Sequence, residues 1–167
     1  MTSSEPGIGD LGCTQIRGDV GWLIKLGERL NGDRFAQYQH AFVYIGDGQI
    51  VEAEPGGARI ADLSEYDART IVWVRCPDQY RQGVADAARE FADQKIGYSF
   101  LDYAAIAAHR IHLPIPGLRR YVASTKHMLC SQLDVEAARR GGWDVLEPDW
   151  PGYVTPAEIA ALAGPPA

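Results

Sequence analysis

The stretch Gln39–Glu54, QHAFVYIGDGQIVEAE, decides the fold of this chain. A histidine opens an apolar run of strand-favouring residues, the turn GDG reverses the chain, and a second run leads to a carboxylate at Glu52. This pattern predicts a β-hairpin with strands at about 40–45 and 49–54. Because the turn folds the second strand back along the first, we expect His40 and Glu52 to lie close together, as a base and the residue that orients it.

A second informative stretch is LCSQL, in which Cys130 precedes a segment with helical periodicity. At the first turn of a helix, a thiolate is stabilised by backbone N–H groups and by the positive end of the helix dipole, which lowers the pKa of the thiol. The same N–H groups can form an oxyanion hole. A thiol, an imidazole and a carboxylate are the parts of a nucleophilic triad, so Cys130, His40 and Glu52 are the candidate catalytic residues.

These side chains have competitors and structural alternatives. A free cysteine is more often an inert buried residue than a nucleophile, and Cys13 and Cys76, each within a predicted strand, are assigned to the core. Glu54 follows Glu52 by two residues on the same face of the strand and competes for its role. The remaining histidines, which have no carboxylate at an evident spacing, are His109, His112 and His127. The last of them is a minor contender because it is close in sequence to the cysteine of LCSQL.

Composition and charge exclude several classes of function. With 167 residues, the chain is most simply one domain, 1–167, with frayed ends at 1–7 and 164–167. Its three cysteines are odd in number and lack C-x-x-C spacing, and its four histidines lack H-x-x-x-H, so we expect neither a disulfide framework nor a metal site. A net charge of −6 is the wrong sign for gripping phosphate backbones, so no nucleic-acid partner is expected.

The amino terminus and the hydropathy pattern bear on location. The opening MTSSEPGIGD contains neither the basic nor the apolar region of a Sec signal. No apolar run approaches the roughly 20 residues that a membrane-spanning helix requires. We therefore expect no integral membrane segment and a protein that is cytoplasmic as made, or phage-associated or released by lysis. The oligomeric state is left open.

The remaining pattern predicts an α+β protein in which a mostly antiparallel sheet packs against helices. The sheet follows from short, consecutive strand patterns, which extend beyond the hairpin to 8–16, 58–63 and 70–76. Apolar spacing and capping residues predict helices at 19–30, 80–95, 99–112 and from Cys130 to about 140, with a last short helix starting at Thr155-Pro156.

The hairpin HAFVYIGDGQIVEA resembles the histidine hairpin of the NlpC/P60 superfamily of papain-like cysteine hydrolases, in which a polar residue stands twelve positions after the histidine. Glu52 stands twelve after His40. The cysteine follows the histidine here, which is the order of the circularly permuted branch that includes the YiiX-like proteins and the lecithin:retinol acyltransferase relatives. Further similarities are GDL at 9–11, KIGYSF at 95–100, C-S-x-L at 130–133 and VTP at 154–156.

The resemblance implies a permuted papain-like fold and a reaction without a cofactor. It implies Cys130 as nucleophile, His40 as general base and then acid, and Glu52 as the residue that orients His40. The implied substrate is an amide bond in a peptide, with a bacterial cell-wall peptide, or muropeptide, as the leading candidate. A thiol acyltransferase or lipid-ester hydrolase on the same triad is the alternative, and a non-catalytic binding protein on this fold is the third possibility.

Two aromatic residues are predicted to contact the substrate. Tyr98 lies in KIGYSF, and Trp150 lies in the aromatic, proline-bearing segment 143–153. The alternative for that segment is that it covers the core. The stretch 99–126 matches no pattern of the family and is predicted to shape the substrate groove.

Overall fold

The computed structural model describes residues 5–15, 38–54, 57–94, 130–146 and 154–164. Within these ranges the strands are β1 (Leu11–Thr14), β2 (His40–Gly46), β3 (Gln49–Glu54), β4 (Gly57–Asp62) and β5 (Ile71–Val74). The α-helices are α1 (Arg81–Asp93), α2 (Cys130–Arg140) and α3 (Pro156–Ala161), and a 3-10 helix spans Leu63–Tyr66. The α+β class is therefore confirmed. None of these described helices has the length and apolar character needed to cross a membrane.

The five described strands form one sheet in the order β4-β3-β2-β1-β5, and every neighbouring pair is antiparallel. The predicted mostly antiparallel sheet is thus confirmed. Strand β5 follows β4 in sequence but pairs with β1 at the opposite edge, after the 3-10 helix and a turn. The chain consequently places β2 in the centre of the sheet, with its first residue, His40, opposite Thr14.

Both faces of the central strand are covered, which explains the nearly continuous apolar run of its sequence. Alternation along β2 sends Ala41, Val43 and Ile45 into a core that also contains buried residues of the three α-helices. Phe42 belongs to a second cluster, whose other buried members are Ile50, Ala61 and Tyr66. The 3-10 helix supplies Tyr66 and so closes this second cluster.

The GDL motif forms a buried network of hydrogen bonds around Asp10. Asp10 is fully buried at the start of β1. Gly9 has φ +81°, and a Cβ on it would lie 2.7 Å from the carbonyl oxygen of Arg81, so only glycine fits here. The Asp10 carboxylate accepts hydrogen bonds from Gly7 N at 2.9 Å, Cys76 N at 3.0 Å, Arg75 Nη1 at 2.6 Å and Arg81 Nη1 at 3.1 Å. These bonds tie β1 to the segment between β5 and α1.

Two of the predicted strands are shorter than expected because of the turn and the hydrogen bonds around Asp10. The pattern at 8–16 yields only Leu11–Thr14, since residues 8 and 9 form a turn. The run at 70–76 pairs only over Ile71–Val74, because Cys76 N turns to the Asp10 carboxylate. The other predicted elements that the structure describes agree with their predicted bounds within two residues, whereas the 3-10 helix was not predicted. The predicted helices at 19–30 and 99–112 lie outside the described residues.

The short helix α3 begins as its sequence predicts. Thr155 Oγ1 accepts a hydrogen bond from Glu158 N at 3.2 Å, and the Glu158 carboxylate accepts one from Thr155 N at 2.6 Å. Pro156 occupies the first turn. This capping box, with proline at a position that needs no N–H donor, fixes where the helix starts.

Candidate active site

The hairpin brings His40 and Glu52 together, as its sequence predicts. Glu52 on β3 pairs directly with Phe42 on β2, so His40, two residues earlier, is its diagonal neighbour on the same face. His40 Nε2 lies 2.6 Å from Glu52 Oε2. Both side chains are buried, Glu52 completely.

Glu52 is held from two further directions. The Tyr66 hydroxyl donates to Oε2 at 2.5 Å, the same oxygen that His40 contacts. Arg59, opposite Glu52 in the β3–β4 pairing, brings Nη2 to 2.6 Å from Oε1, in an ion pair whose angle falls outside hydrogen-bond geometry. Burial raises the pKa of Glu52, but the hydrogen bond and charge of His40, the Tyr66 hydroxyl and the Arg59 charge outweigh it and lower the pKa below its usual value. The group is therefore a carboxylate at neutral pH.

His40 also contacts the thiol of Cys130. Burial lowers the pKa of His40, but its hydrogen bonds with Cys130 and with Glu52, together with the charges of both, outweigh burial and raise the pKa to about 10. Because Nε2 is engaged with Glu52, Nδ1 is the ring nitrogen left for the sulfur. His40 is thus protonated in the neutral pH range. It lies between the Glu52 carboxylate on the hairpin and the Cys130 thiol at the start of α2.

Helix α2 begins at Cys130, which is 2% exposed. The next residue anchors this end of the helix: Ser131 is buried and its Oγ donates to Val154 O at 2.5 Å. Leu133 on the same helix is fully buried in the main core. The C-S-x-L and VTP motifs therefore meet in space, and together they fix the position of the sulfur.

Glu54 occupies a different position from Glu52. Its side chain is 43% exposed and its carboxylate lies 3.5 Å from Arg59 Nε, while the hydrogen bond to His40 goes to Glu52. Ligand atoms of His40, Glu52 and Glu54 all lie within 4.8 Å of one another, which is close enough for three ligands of a metal ion. However, the Arg59 guanidinium contacts both carboxylates and puts a positive charge where the ion would bind. This donor set fits a hydrogen-bonded network better than a metal centre.

A second fully buried acid lies one helical turn after the cysteine. Within the part of the chain that the structure describes, neither carboxyl oxygen of Asp134 has a hydrogen-bond partner. Burial, and then the charge of Cys130, raise the pKa of Asp134 well above its usual value. Cys13 lies nearby, and burial, Asp134 and Cys130 raise its pKa in turn. Burial thus favours the protonated form of both groups beside Cys130.

The other cysteines have the core positions that the sequence predicts. Cys13 and Cys76 are buried at 0% and 1% exposure and belong to the main core. Burial raises the pKa of Cys76 to about 11, against the opposing charge of Arg81. Trp143, at the start of the aromatic segment, is partly buried against the same core, which favours the covering role for that residue.

The predicted substrate contacts Tyr98 and Trp150 lie outside the described residues. The minor contender His127 and the two histidines that were not assigned to the site, His109 and His112, lie outside them as well. Conversely, the sequence reasoning missed Tyr66 and Arg59. A signal for Arg59 exists: if the turn Pro55-Gly56 closes a second hairpin, residue 59 falls opposite residue 52. Tyr66 has no such signal, because it reaches Glu52 from a 3-10 helix that no pairing register places.

The chain matches no protein-family model, and a search of curated proteins finds no significant match. The likeness of its hairpin to the NlpC/P60 superfamily thus stays a prediction made from motifs.

Proposed function

We propose that this protein is a cysteine hydrolase that cleaves an amide bond through Cys130, His40 and Glu52, by way of an acyl-enzyme. One observation carries the proposal: a buried imidazole is hydrogen-bonded on one side to a carboxylate and on the other to a cysteine at the first position of a helix. Each of the three roles of a thiol triad has a side chain of suitable chemistry in contact with the next.

The first half of the reaction begins from an ion pair. His40, with its pKa raised to about 10, already carries the proton that a thiol gives up, so the sulfur attacks as a thiolate. As the tetrahedral intermediate forms, its oxyanion accepts hydrogen bonds from backbone N–H groups in the first turn of α2. The C–N bond then breaks while His40 protonates the leaving amine, which leaves a thioester on Cys130.

The second half returns the enzyme to its starting state. His40, now neutral, takes a proton from a water molecule as that water attacks the thioester. The carboxylic acid leaves, the sulfur departs as thiolate, and the imidazolium is restored. Glu52 accepts the Nε2–H bond throughout, which keeps the tautomer and the direction of the ring. These steps need no cofactor.

The proposed substrate is a peptide of the bacterial cell-wall type, on a permuted NlpC/P60-like fold. Support for this finer assignment comes from the motif order of the hairpin, C-S-x-L and VTP, and from the contact of the last two through Ser131 and Val154. A lipid acyl substrate and a non-catalytic binding role are the outcomes that the experiment must separate from it.

The first experiment is the pH dependence of iodoacetamide alkylation, with each modified cysteine located by peptide mass spectrometry. The three cysteines are internal controls, since all are at most 2% exposed and a difference in rate reports ionisation and access together. We expect Cys130 alone to react fast, with an apparent pKa well below about 8.5, and His40→Ala to raise that value. Equal, slow reaction of Cys130 and Cys13 would overturn the thiolate and leave a binding role.

The second experiment identifies the acyl group. The protein is exposed separately to muropeptide mixtures and to lipid esters, and the mass of the intact chain is followed, with Cys130→Ala as the matched control. An adduct on the wild type from the muropeptides only supports the amide hydrolase. An adduct from the lipid esters only assigns the site to acyl transfer or ester hydrolysis.

A further inference from the structure

Tyr66 completes the site from outside the three residues that carry the reaction. We propose that Tyr66 is a positioning residue of the triad, whose hydroxyl holds the Glu52 carboxylate in line with His40 and whose ring holds the plane of the imidazole. The inference rests on the proposed hydrolase and adds a fourth residue to it.

The first argument is the placement of two donors on one oxygen. His40 Nε2 and the Tyr66 hydroxyl lie 2.6 Å and 2.5 Å from Glu52 Oε2. A carboxylate oxygen has two lone-pair sites, so these donors fill the hydrogen-bonding capacity of Oε2. With both sites occupied, the carboxylate cannot rotate without losing a charge-assisted hydrogen bond. The direction of the His40 ring is thereby fixed through Glu52.

The second argument is the contact between the rings. The rings of Tyr66 and His40 lie 5.8 Å apart at an interplanar angle of 19°. Phe42 lies 5.0 Å from the Tyr66 ring and 6.0 Å from His40, so the imidazole is bordered by aromatic side chains on this face. Tyr66 is 4% exposed and cannot swing away without opening this cluster.

The third argument is electrostatic. A fully buried carboxyl tends to take up a proton, and each hydrogen-bond donor aimed at it opposes that tendency. The Tyr66 hydroxyl is such a donor, and burial and the Glu52 carboxylate both raise the pKa of Tyr66, so the phenol keeps its proton. Arg59 opposes protonation as well, but its side chain is 42% exposed and solvent screens it.

The test compares two tyrosines of the same apolar cluster, Tyr66 and Tyr44. Tyr66→Phe removes the hydroxyl and keeps the ring. Tyr44→Phe is the matched control, because the Tyr44 hydroxyl accepts a hydrogen bond from Gly48 N at 3.1 Å in the hairpin turn and does not touch Glu52. The Glu52 carboxyl carbon is titrated by NMR, with its resonance assigned by Glu52→Gln, and turnover is followed from acid to neutral pH.

We expect Tyr66→Phe to raise the pKa of Glu52 and to lower kcat about 10-fold, the effect of losing one hydrogen bond to a charged group. The loss should deepen as the pH falls, whereas Tyr44→Phe should leave the titration and the rate at wild-type values. An unchanged Glu52 titration in folded Tyr66→Phe would overturn the proposal, even if the melting temperature fell, because a purely structural tyrosine lowers stability without moving that titration.

A measurement that leaves Tyr66 in place covers the case in which Tyr66→Phe does not fold. The ring carbon that bears the Tyr66 hydroxyl is titrated in the wild type and in Glu52→Gln. We expect the pKa of Tyr66 to fall in Glu52→Gln, since an amide no longer repels the phenolate. An identical phenol titration in the two proteins would contradict the contact.

These readouts separate the two proposals. If Cys130 is unreactive in the wild type but Tyr66→Phe still shifts Glu52, the positioning contact stands and the hydrolase is wrong. If Cys130 reacts as a thiolate while the Glu52 titration ignores Tyr66, the hydrolase stands and the positioning role is wrong.

Discussion

Two fully buried acids flank the His40–Cys130 pair, one on the hairpin and one on helix α2, and they have opposite surroundings. Glu52 receives hydrogen bonds from His40 and Tyr66 and an ion pair from Arg59. Asp134 has no hydrogen-bond partner among the described residues. Accordingly, the pKa of Glu52 is lowered and that of Asp134 is raised, although both are 0% exposed.

The difference teaches that burial alone does not set the charge of an acid. Burial favours the neutral form of both groups, and only donors aimed at the oxygens reverse that preference. These surroundings favour the carboxylate form of Glu52 on the hairpin side and the protonated form of Asp134 on the helix side. In the proposed thiolate form, Cys130 has the protonated His40 beside it.

The largest expected effect comes from removing the sulfur that lies between the two acids. Cys130→Ala should abolish turnover and leave the fold intact, because the side chain is small and alanine fits the same helix position. In the same variant the pKa of Asp134 should fall, since the charge of Cys130 contributes to raising it. Turnover, circular dichroism and a carboxyl titration check these points. Full activity in Cys130→Ala would assign the nucleophile elsewhere.

The next effect comes from the base. His40→Ala should lower kcat by at least about 10²-fold, because neither the protonation of the leaving group nor the activation of water has another donor or acceptor in the described site. Glu52 should also lose its main partner, so its pKa should rise toward that of an ordinary buried acid. The difference in pKa between Glu52 and Asp134 would then become smaller. A Glu52 titration unaffected by His40→Ala would contradict the coupling.

A smaller effect is expected from the charge of Glu52. Glu52→Gln should reduce activity less than His40→Ala, since it weakens orientation and leaves the nucleophile in place. The pKa of His40 should drop below about 10, because the carboxylate supplies part of the upward shift. The matched control is Glu54→Gln, whose carboxylate contacts Arg59 and is exposed. If Glu54→Gln were the damaging substitution and Glu52→Gln harmless, the orienting role would belong to Glu54.

The site was predictable where it depends on local pattern and not where it depends on tertiary pairing. The His40 and Glu52 spacing and the helix after Cys130 follow from strand alternation, a glycine turn and apolar periodicity. Arg59 depends on the register of a second hairpin, and Tyr66 on a 3-10 helix that crosses from β4 toward β5. The buried position of Asp134 was not predicted for another reason: a charged residue within a helical pattern is normally assigned to the solvent face.

The charge on His40 also makes stability depend on pH. The pKa of His40 is about 10 in the folded protein and 6.5 in its ordinary state, so the folded state binds the proton more tightly. This contribution to the free energy of unfolding is fully present below pH 6.5 and is lost as the pH rises through 10. Because the proposed Cys130 thiolate gives up a proton as His40 gains one, urea unfolding of the wild type should weaken relative to His40→Gln from about pH 8.5, the ordinary pKa of a thiol, to pH 10. Parallel pH curves would mean that the imidazole is neutral when folded.

A stability effect is also expected from Asp134 on helix α2, and it tests the comparison with Glu52 directly. Because the pKa of Asp134 is raised in the folded state, its contribution to stability is present below pH 3.8 and is lost as the pH rises above it. Asp134→Asn cannot ionise and lacks this loss. The stability of Asp134→Asn relative to the wild type should therefore increase from pH 4 to 7, by at most about 1.4 kcal/mol per unit.

The control for this last measurement is Asp86→Asn on α1, whose side chain is 62% exposed. This variant shows what the removal of an exposed carboxylate, which lies 3.1 Å from Arg89 Nη1, does to stability over the same range. If Asp134→Asn behaved like Asp86→Asn, Asp134 would be ionised beside Cys130. The helix side would then carry a negative charge that no hydrogen bond from the described residues stabilises.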